Sequence, residues 1–147
     1  MSATLARLDD PALVERVDPR GFHRLLSALP ASAREAWRQG SEWPLAPSLR
    51  TPRKVLFAGG GGSAIGGDGV STLAGVASEI PVQVVRQYEP PPVDEHTLVI
   101  ASSFSGNTEE TLAAYEASRG AMRLALTTGG ELARRAERDG VPVFTYT

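Results

Sequence analysis

From Arg53 onward, short apolar runs alternate with segments of helical periodicity, and no other feature of the chain narrows its possible folds as much. Lys54–Ala58, Val82–Arg86, Thr97–Ser102, Met122–Thr127 and Val141–Tyr146 have the length and apolar content of strands, while Ser63–Ser78, Thr108–Arg119 and Gly130–Arg138 read as helices. Strand, helix and strand in succession make a crossover unit, and such units align their strands in parallel with helices against the sheet. The expected fold is α/β: a five-stranded, parallel, doubly wound sheet with helices on both faces. One connection differs. Gln87–His96 reads QYEPPPVDEH, and its prolines lack an N–H and clash with a preceding turn, so no helix joins the second and third strands.

Residues 1–52 come before this pattern and read as a helical lead-in and linker, with residues 53–147 as the main domain. Asp10 before Pro11 and Asp18 before Pro19 mark helix starts, because proline at the first helical position loses no useful donor. Leu25, Leu26 and Leu29 in one short helix, and Ala33, Ala36 and Trp37 in the next, recur at helical spacing and suit cover for the outside of a sheet. Gly40–Pro52, with three prolines and little periodicity, reads as the linker.

Ligands of open parallel sheets bind beyond the carboxyl ends of the strands, where strand order reverses. The loops after the first and third strands therefore carry the functional expectation. The second is SSFSGNTEETL: a strand end, a run of hydroxyls with one glycine, and a helix beginning near Asn107 or Thr108, with Glu110 placed as a capping-box partner. Free N–H groups at that helix start, its positive dipole end and the hydroxyls of Ser103, Ser105 and Thr108 can converge on an anion without a cationic side chain. The same residues also suit a plain serine-rich cap and turn. The first loop is AGGGGSAIGGDG. Gly66, Gly67 and Gly69 fall in the helix after it, and each gives up roughly 1 kcal/mol relative to alanine. Either tight packing of helix on strand or close approach of a ligand demands that space.

Several activities are weakened or excluded. A nucleotide-triphosphate loop requires Lys and Ser/Thr where Gly67 and Asp68 stand, and the single lysine, Lys54, begins the first strand at the opposite end from the loops. A serine-hydrolase elbow fails because Ile65 follows Gly61–Ala64, and no histidine follows Ser105. Gly59-x-Gly61-x-x-Ala64 does match the dinucleotide fingerprint, but Arg86 stands where an acidic residue belongs, which leaves an NADP-binding domain as the weaker alternative. Cysteine is absent and there are two histidines, so no thiolate metal site exists. A net charge of -2 argues against nucleic acid. With no apolar run near membrane-spanning length and no leader-like start, the expectation is a cytoplasmic protein that neither crosses nor leaves the membrane.

Taken together, LFAGGGGSAIGGD, VQVVRQYEPPPVDEHTLVIASSFSGNTEETL, the early Leu8–Asp9–Asp10 and Leu29–Pro30 with Glu35–Ala36–Trp37 resemble the amino-terminal sugar isomerase (SIS) domain of the bifunctional phosphoglucose/phosphomannose isomerases. The S-x-S-G-x-T loop is the mark of that domain. The resemblance implies a flavodoxin-like SIS sheet and a hexose 6-phosphate ligand, its phosphate held by Ser103, Ser105 and Thr108 and its sugar beside Gly62 and Ser63. It implies interconversion of fructose 6-phosphate with glucose 6-phosphate or mannose 6-phosphate, without metal or organic cofactor, through a cis-enediol(ate). The family's glutamate base and histidine lie in a second SIS domain, the histidine coming from the partner of a homodimer. These 147 residues stop at Thr147 before such a domain, so no catalytic residue is expected among them and the isolated chain is expected to bind without turning over. His23 and His96 match no catalytic position, and Glu109, Glu110 and Glu116 read as the solvated face of a helix. Glu89–Pro92 is more proline-rich than the family's turn. A non-catalytic SIS sensor of sugar phosphates is the competing reading.

Overall fold

A computed structural model describes residues 10–49 and 51–146; Leu8 and Asp9 of the resemblance lie outside the described residues. The chain divides into two compact units, Met1–Trp43 and Pro44–Thr147. Among the described residues no helix is long and apolar enough to cross a membrane.

The first unit holds α1 (Pro11–Val17) and α2 (Phe22–Glu42). Pro11 opens α1, and the Asp10 carboxylate accepts from the Ala12 N–H at 3.0 Å. Asp18 and Pro19 do not repeat that arrangement. Asp18 closes α1, and its side chain reaches forward to accept from the N–H groups of Phe22 and His23, each at 2.8 Å, so α2 starts only after Gly21 at φ 68°. The two short helices expected over residues 25–37 are one 21-residue helix with Pro30 inside it. The proline ring fixes φ near the helical value, so a break is not obligatory, although the lost donor and the clash cost roughly 3 kcal/mol. The Ser27 and Ser32 hydroxyls donate to the carbonyls of His23 and Ala28 on either side of it. Leu25, Leu26, Leu29 and Trp37, expected as buried cover, are 56–79% exposed.

The second unit is a five-stranded sheet in the order β2-β1-β3-β4-β5, every pair parallel. Its elements are β1 (Lys54–Gly59), α3 (Gly61–Ala77), β2 (Val82–Val85), β3 (Thr97–Ser103), α4 (Glu109–Ala117), β4 (Met122–Thr127), α5 (Gly130–Arg138) and β5 (Val143–Thr145). This is the doubly wound, flavodoxin-like order. No helix joins β2 to β3, and Lys54 Nζ donates to the Pro92 carbonyl at 3.1 Å, tying the proline stretch to β1. Within the expected linker, Pro47–Leu49 forms a 3₁₀ turn that buries Leu49.

Residues paired across parallel strands share a face. Leu56, Ala58, Val99, Ala101 and Ala125 therefore point together, and they pack under Ala114 and Tyr115 of α4 and Leu132 and Ala136 of α5. The opposite face carries Phe57, whose ring stands 2.4 Å from where a Cβ on Gly67 would lie, so α3 approaches the sheet only because residue 67 is glycine. Close packing accounts for that glycine. Gly66 and Gly69 point into open space. At the rim of the first face, Arg123 lies 4.4 Å over the Tyr115 ring and pairs with Asp139 at 3.3 Å, and the Tyr115 hydroxyl donates to the same carboxylate at 3.1 Å. Burial pushes the Tyr115 hydroxyl up to about 12, so it remains a donor.

Candidate functional site

With β2 on one side of β1 and β3 on the other, the carboxyl ends of β1 and β3 meet at the reversal of strand order, in register at Gly59 and Ser102. The two unusual loops therefore touch. A Cβ on Gly60 would lie 3.2 Å from Thr108 Cγ2, and Gly61 takes φ 50° where α3 begins, so both positions fit the absence of a side chain. Between the loops lies a pocket of about 590 Å³ lined by Gly60, Gly62, Ser63, Phe104, Ser105, Thr108 and Tyr146. Four of the five expected site residues, Gly62, Ser63, Ser105 and Thr108, line this one pocket.

Ser103 does not. It is 1% exposed and works from behind: its Oγ accepts from the Gly106 N–H at 3.1 Å and lies 2.9 Å from Thr108 Oγ1. Either hydroxyl can donate in that pair, and when Ser103 does, the Thr108 proton is left for the pocket. Ser105 is similarly placed, because its Oγ accepts from the Asn107 N–H at 3.2 Å and keeps its own proton to donate. The expected capping box is absent. Thr108 is the N-cap of α4 but its side chain caps no N–H of that helix, and Asn107 instead accepts from the Glu131 N–H at 3.1 Å and donates to the Ser105 carbonyl at 3.1 Å.

Neither α3 nor α4 has a side-chain cap, so first-turn N–H groups and two positive dipole ends converge on the same end of the sheet. None of the lining residues carries a charge. Lys54 begins β1 at the other end of the sheet. Arg86, the possible cofactor-phosphate partner in the dinucleotide alternative, is paired with Asp68 of α3. Glu109 accepts from the Tyr88 hydroxyl at 3.4 Å. His23 pairs with Asp18 at 2.8 Å in the first unit, and His96 lies just before β3, at the end of that strand opposite the pocket. Among the described residues no group of three His, Cys, Asp or Glu side chains could hold a metal ion. A second cleft of the same volume, beside Glu15, Asp18, Arg20 and His23, is formed where α1 gives way to α2, and its Asp18 carboxylate serves as a helix cap.

The hydroxyl loop is held by a third turn that the sequence reading missed. Gly129 and Gly130 take φ 149° and 74°; a Cβ on Gly130 would lie 2.3 Å from the Ser105 carbonyl, and one on Gly106, itself at φ 68°, would lie 1.8 Å from the Gly129 carbonyl. Thr128 donates its N–H and its hydroxyl to the Phe104 carbonyl at 3.2 and 2.7 Å, and the Leu132 N–H donates to the Gly106 carbonyl at 2.9 Å. The adjacent glycines at the β4–α5 junction were the available signal for that turn. Nothing comparable pointed to Tyr146.

No protein-family model matches the chain. A bifunctional phosphoglucose/phosphomannose isomerase of Caldicellulosiruptor bescii is 45% identical over 120 residues, covering 80% of this chain and 35% of the relative. This chain is related to the bifunctional phosphoglucose/phosphomannose isomerases. A D-glucosamine-6-phosphate 4-epimerase of Sulfolobus acidocaldarius is 34% identical over 119 residues, 76% of this chain and 37% of that protein. The chain thus spans about a third of the length of these curated relatives. The crystal structure of tagatose-6-phosphate ketose/aldose isomerase from Escherichia coli superposes on 88% of this chain and 38% of its own with a TM-score of 0.56 at 21% identity, which shows the same fold.

Proposed function

We propose that residues 53–147 form an SIS domain that binds a hexose 6-phosphate, with Ser105 and Thr108 donating to the phosphate, Ser103 orienting Thr108, and the sugar lying beside Gly62 and Ser63. The observation that carries this reading is the convergence of two uncapped helix starts and the hydroxyl loop on one pocket with an uncharged lining. Such a site holds an anion through neutral donors and helix dipoles. The names of the relatives agree on a phosphorylated sugar while differing in the reaction. Within the family reading, the longer protein interconverts fructose 6-phosphate with glucose 6-phosphate or mannose 6-phosphate as a cytoplasmic homodimer.

Proton transfer between C1 and C2 needs a base within about 3 Å of those carbons. Among the described residues no carboxylate or imidazole lines the pocket. We assign binding to these residues and the acid–base chemistry to a second domain of the longer protein. Calorimetry with fructose 6-phosphate tests the site: Ser105→Ala removes a hydrogen bond to a charged group and is expected to weaken binding by about 1.5–3 kcal/mol, roughly 10- to 150-fold. Unchanged affinity removes Ser105 from the site. A coupled assay for glucose 6-phosphate tests the division of labour, since turnover by the 147 residues that vanishes in Ser105→Ala would place a base among them.

A further inference from the structure

The pocket is larger than its anion-binding side requires. A phosphate group needs only the Ser105 and Thr108 hydroxyls and the neighbouring N–H groups, whereas about 590 Å³ lies within the range of sites that enclose a small organic molecule. Beyond Gly60, Gly62 and Ser63, the rest of the lining is two aromatic rings. Phe104 and Tyr146 stand with ring centroids 6.2 Å apart, tilted by 56°, a separation suited to an edge-to-face pair. Their positions are built into the fold: two bonds from Thr128 fix the Phe104 carbonyl, and the Tyr146 N–H donates to the Thr127 carbonyl just beyond β5. Yet Phe104 is 65% exposed, so much of its ring surface has no partner among the described residues.

We propose that Phe104 and Tyr146 form a specificity wall, packing against the carbon-bound hydrogens of a sugar whose phosphate sits on the hydroxyl loop. The proposal rests on the hexose 6-phosphate reading and extends it to how the site distinguishes a sugar phosphate from free phosphate. Contact between the rings and the apolar edge of the sugar adds affinity that inorganic phosphate, which reaches neither ring, does not receive. A nucleobase would also stack on such rings, so an adenine nucleotide is the informative competitor.

The test is calorimetry of fructose 6-phosphate, inorganic phosphate and adenosine monophosphate with the wild-type chain, Phe104→Ala, Tyr146→Leu and Ser105→Ala. Each ring variant is expected to weaken fructose 6-phosphate about three- to tenfold while changing inorganic phosphate by less than about twofold. Ser105→Ala is expected to weaken both. Equal weakening of fructose 6-phosphate and phosphate by the ring variants would show that the rings merely support the loop, and unchanged fructose 6-phosphate affinity would show that the sugar lies elsewhere. Either result overturns the wall, as does adenosine monophosphate binding more tightly than fructose 6-phosphate and losing that advantage with the rings. If the ring variants behave as expected while Ser105→Ala has no effect, the wall stands and the phosphate assignment fails. Circular dichroism checks the fold, and the exposed Phe104 keeps the test decisive should Tyr146→Leu unfold.

Discussion

Replacing Gly106 by alanine adds one methyl group at the tightest backbone contact around the site. Gly106 has φ 68°, a left-handed conformation that costs a residue with a Cβ about 1–2 kcal/mol. The new Cβ would lie 1.8 Å from the Gly129 carbonyl oxygen and 3.0 Å from Gly130 Cα, both backbone atoms, so no side-chain rotation relieves the contact. Forcing the two turns apart adds a further 1–3 kcal/mol by analogy with overpacked cores, and it strains the Leu132-to-Gly106 and Glu131-to-Asn107 bonds, worth about 1 kcal/mol each. The total is about 2–7 kcal/mol, or a melting temperature lower by roughly 10–30 °C in a domain of this size. Thermal unfolding followed by circular dichroism measures it, with Gly66→Ala as the matched control. Gly66 lies in the interior of α3 with open space beyond it, so the same methyl should add up to about 1 kcal/mol of stability there. If Gly106→Ala melted within about 3 °C of wild type and kept its affinity for phosphate, the three-turn account of the site would be wrong.

Gly62→Val should abolish fructose 6-phosphate binding without changing the circular dichroism spectrum, because a Cβ there meets nothing within 4 Å yet enters the pocket lining. Gly67→Ala should destabilise by about 1–3 kcal/mol through its clash with Phe57, whereas Gly69→Ala, facing open space, should not; a denaturant midpoint for each decides. The N–H groups of His23 and Phe22 and then the His23 ring hold the Asp18 carboxyl down to about 2, below its ordinary 3.8. Its folded value is depressed, so its stabilisation of α2 is complete above about pH 4 and is lost as pH falls towards 2. A helical circular dichroism titration should therefore show a loss over that window in wild type and a flatter profile in Asp18→Asn.

The sheet was legible because each strand is a short apolar run bounded by turn residues, and β4 and α5 begin and end where the pattern places them. The two loops were legible for a related reason: clustered glycines and hydroxyls at strand ends have few structural uses. What the pattern did not reveal depended on a single residue or on distant partners. β3 runs one residue further than expected, to Ser103, and in a strand one residue decides the face, so the Ser103 side chain turns into the sheet packing instead of the pocket. Pro30 carries a local stop signal that α2 overrides, and Asp18 reaches forward to cap a helix four residues on instead of one beginning at Pro19. Tyr146 reaches the pocket only because β5 lies at the far edge of a sheet whose strands all end on the same side, which no local pattern records.

The bonds that fasten the hydroxyl loop to the start of α5 make the two segments one opening unit. For the loop to swing out, the N–H groups of Thr128, Glu131 and Leu132 must release the Phe104 carbonyl, the Asn107 side chain and the Gly106 carbonyl together. Amide hydrogens at those three positions therefore exchange with solvent through the same local unfolding event that empties the site. A bound sugar phosphate at 100 times its Kd should slow their exchange by about 100-fold, although it touches none of them. The footprint of the ligand in a deuterium-exchange map then extends beyond its contacts into the first turn of α5.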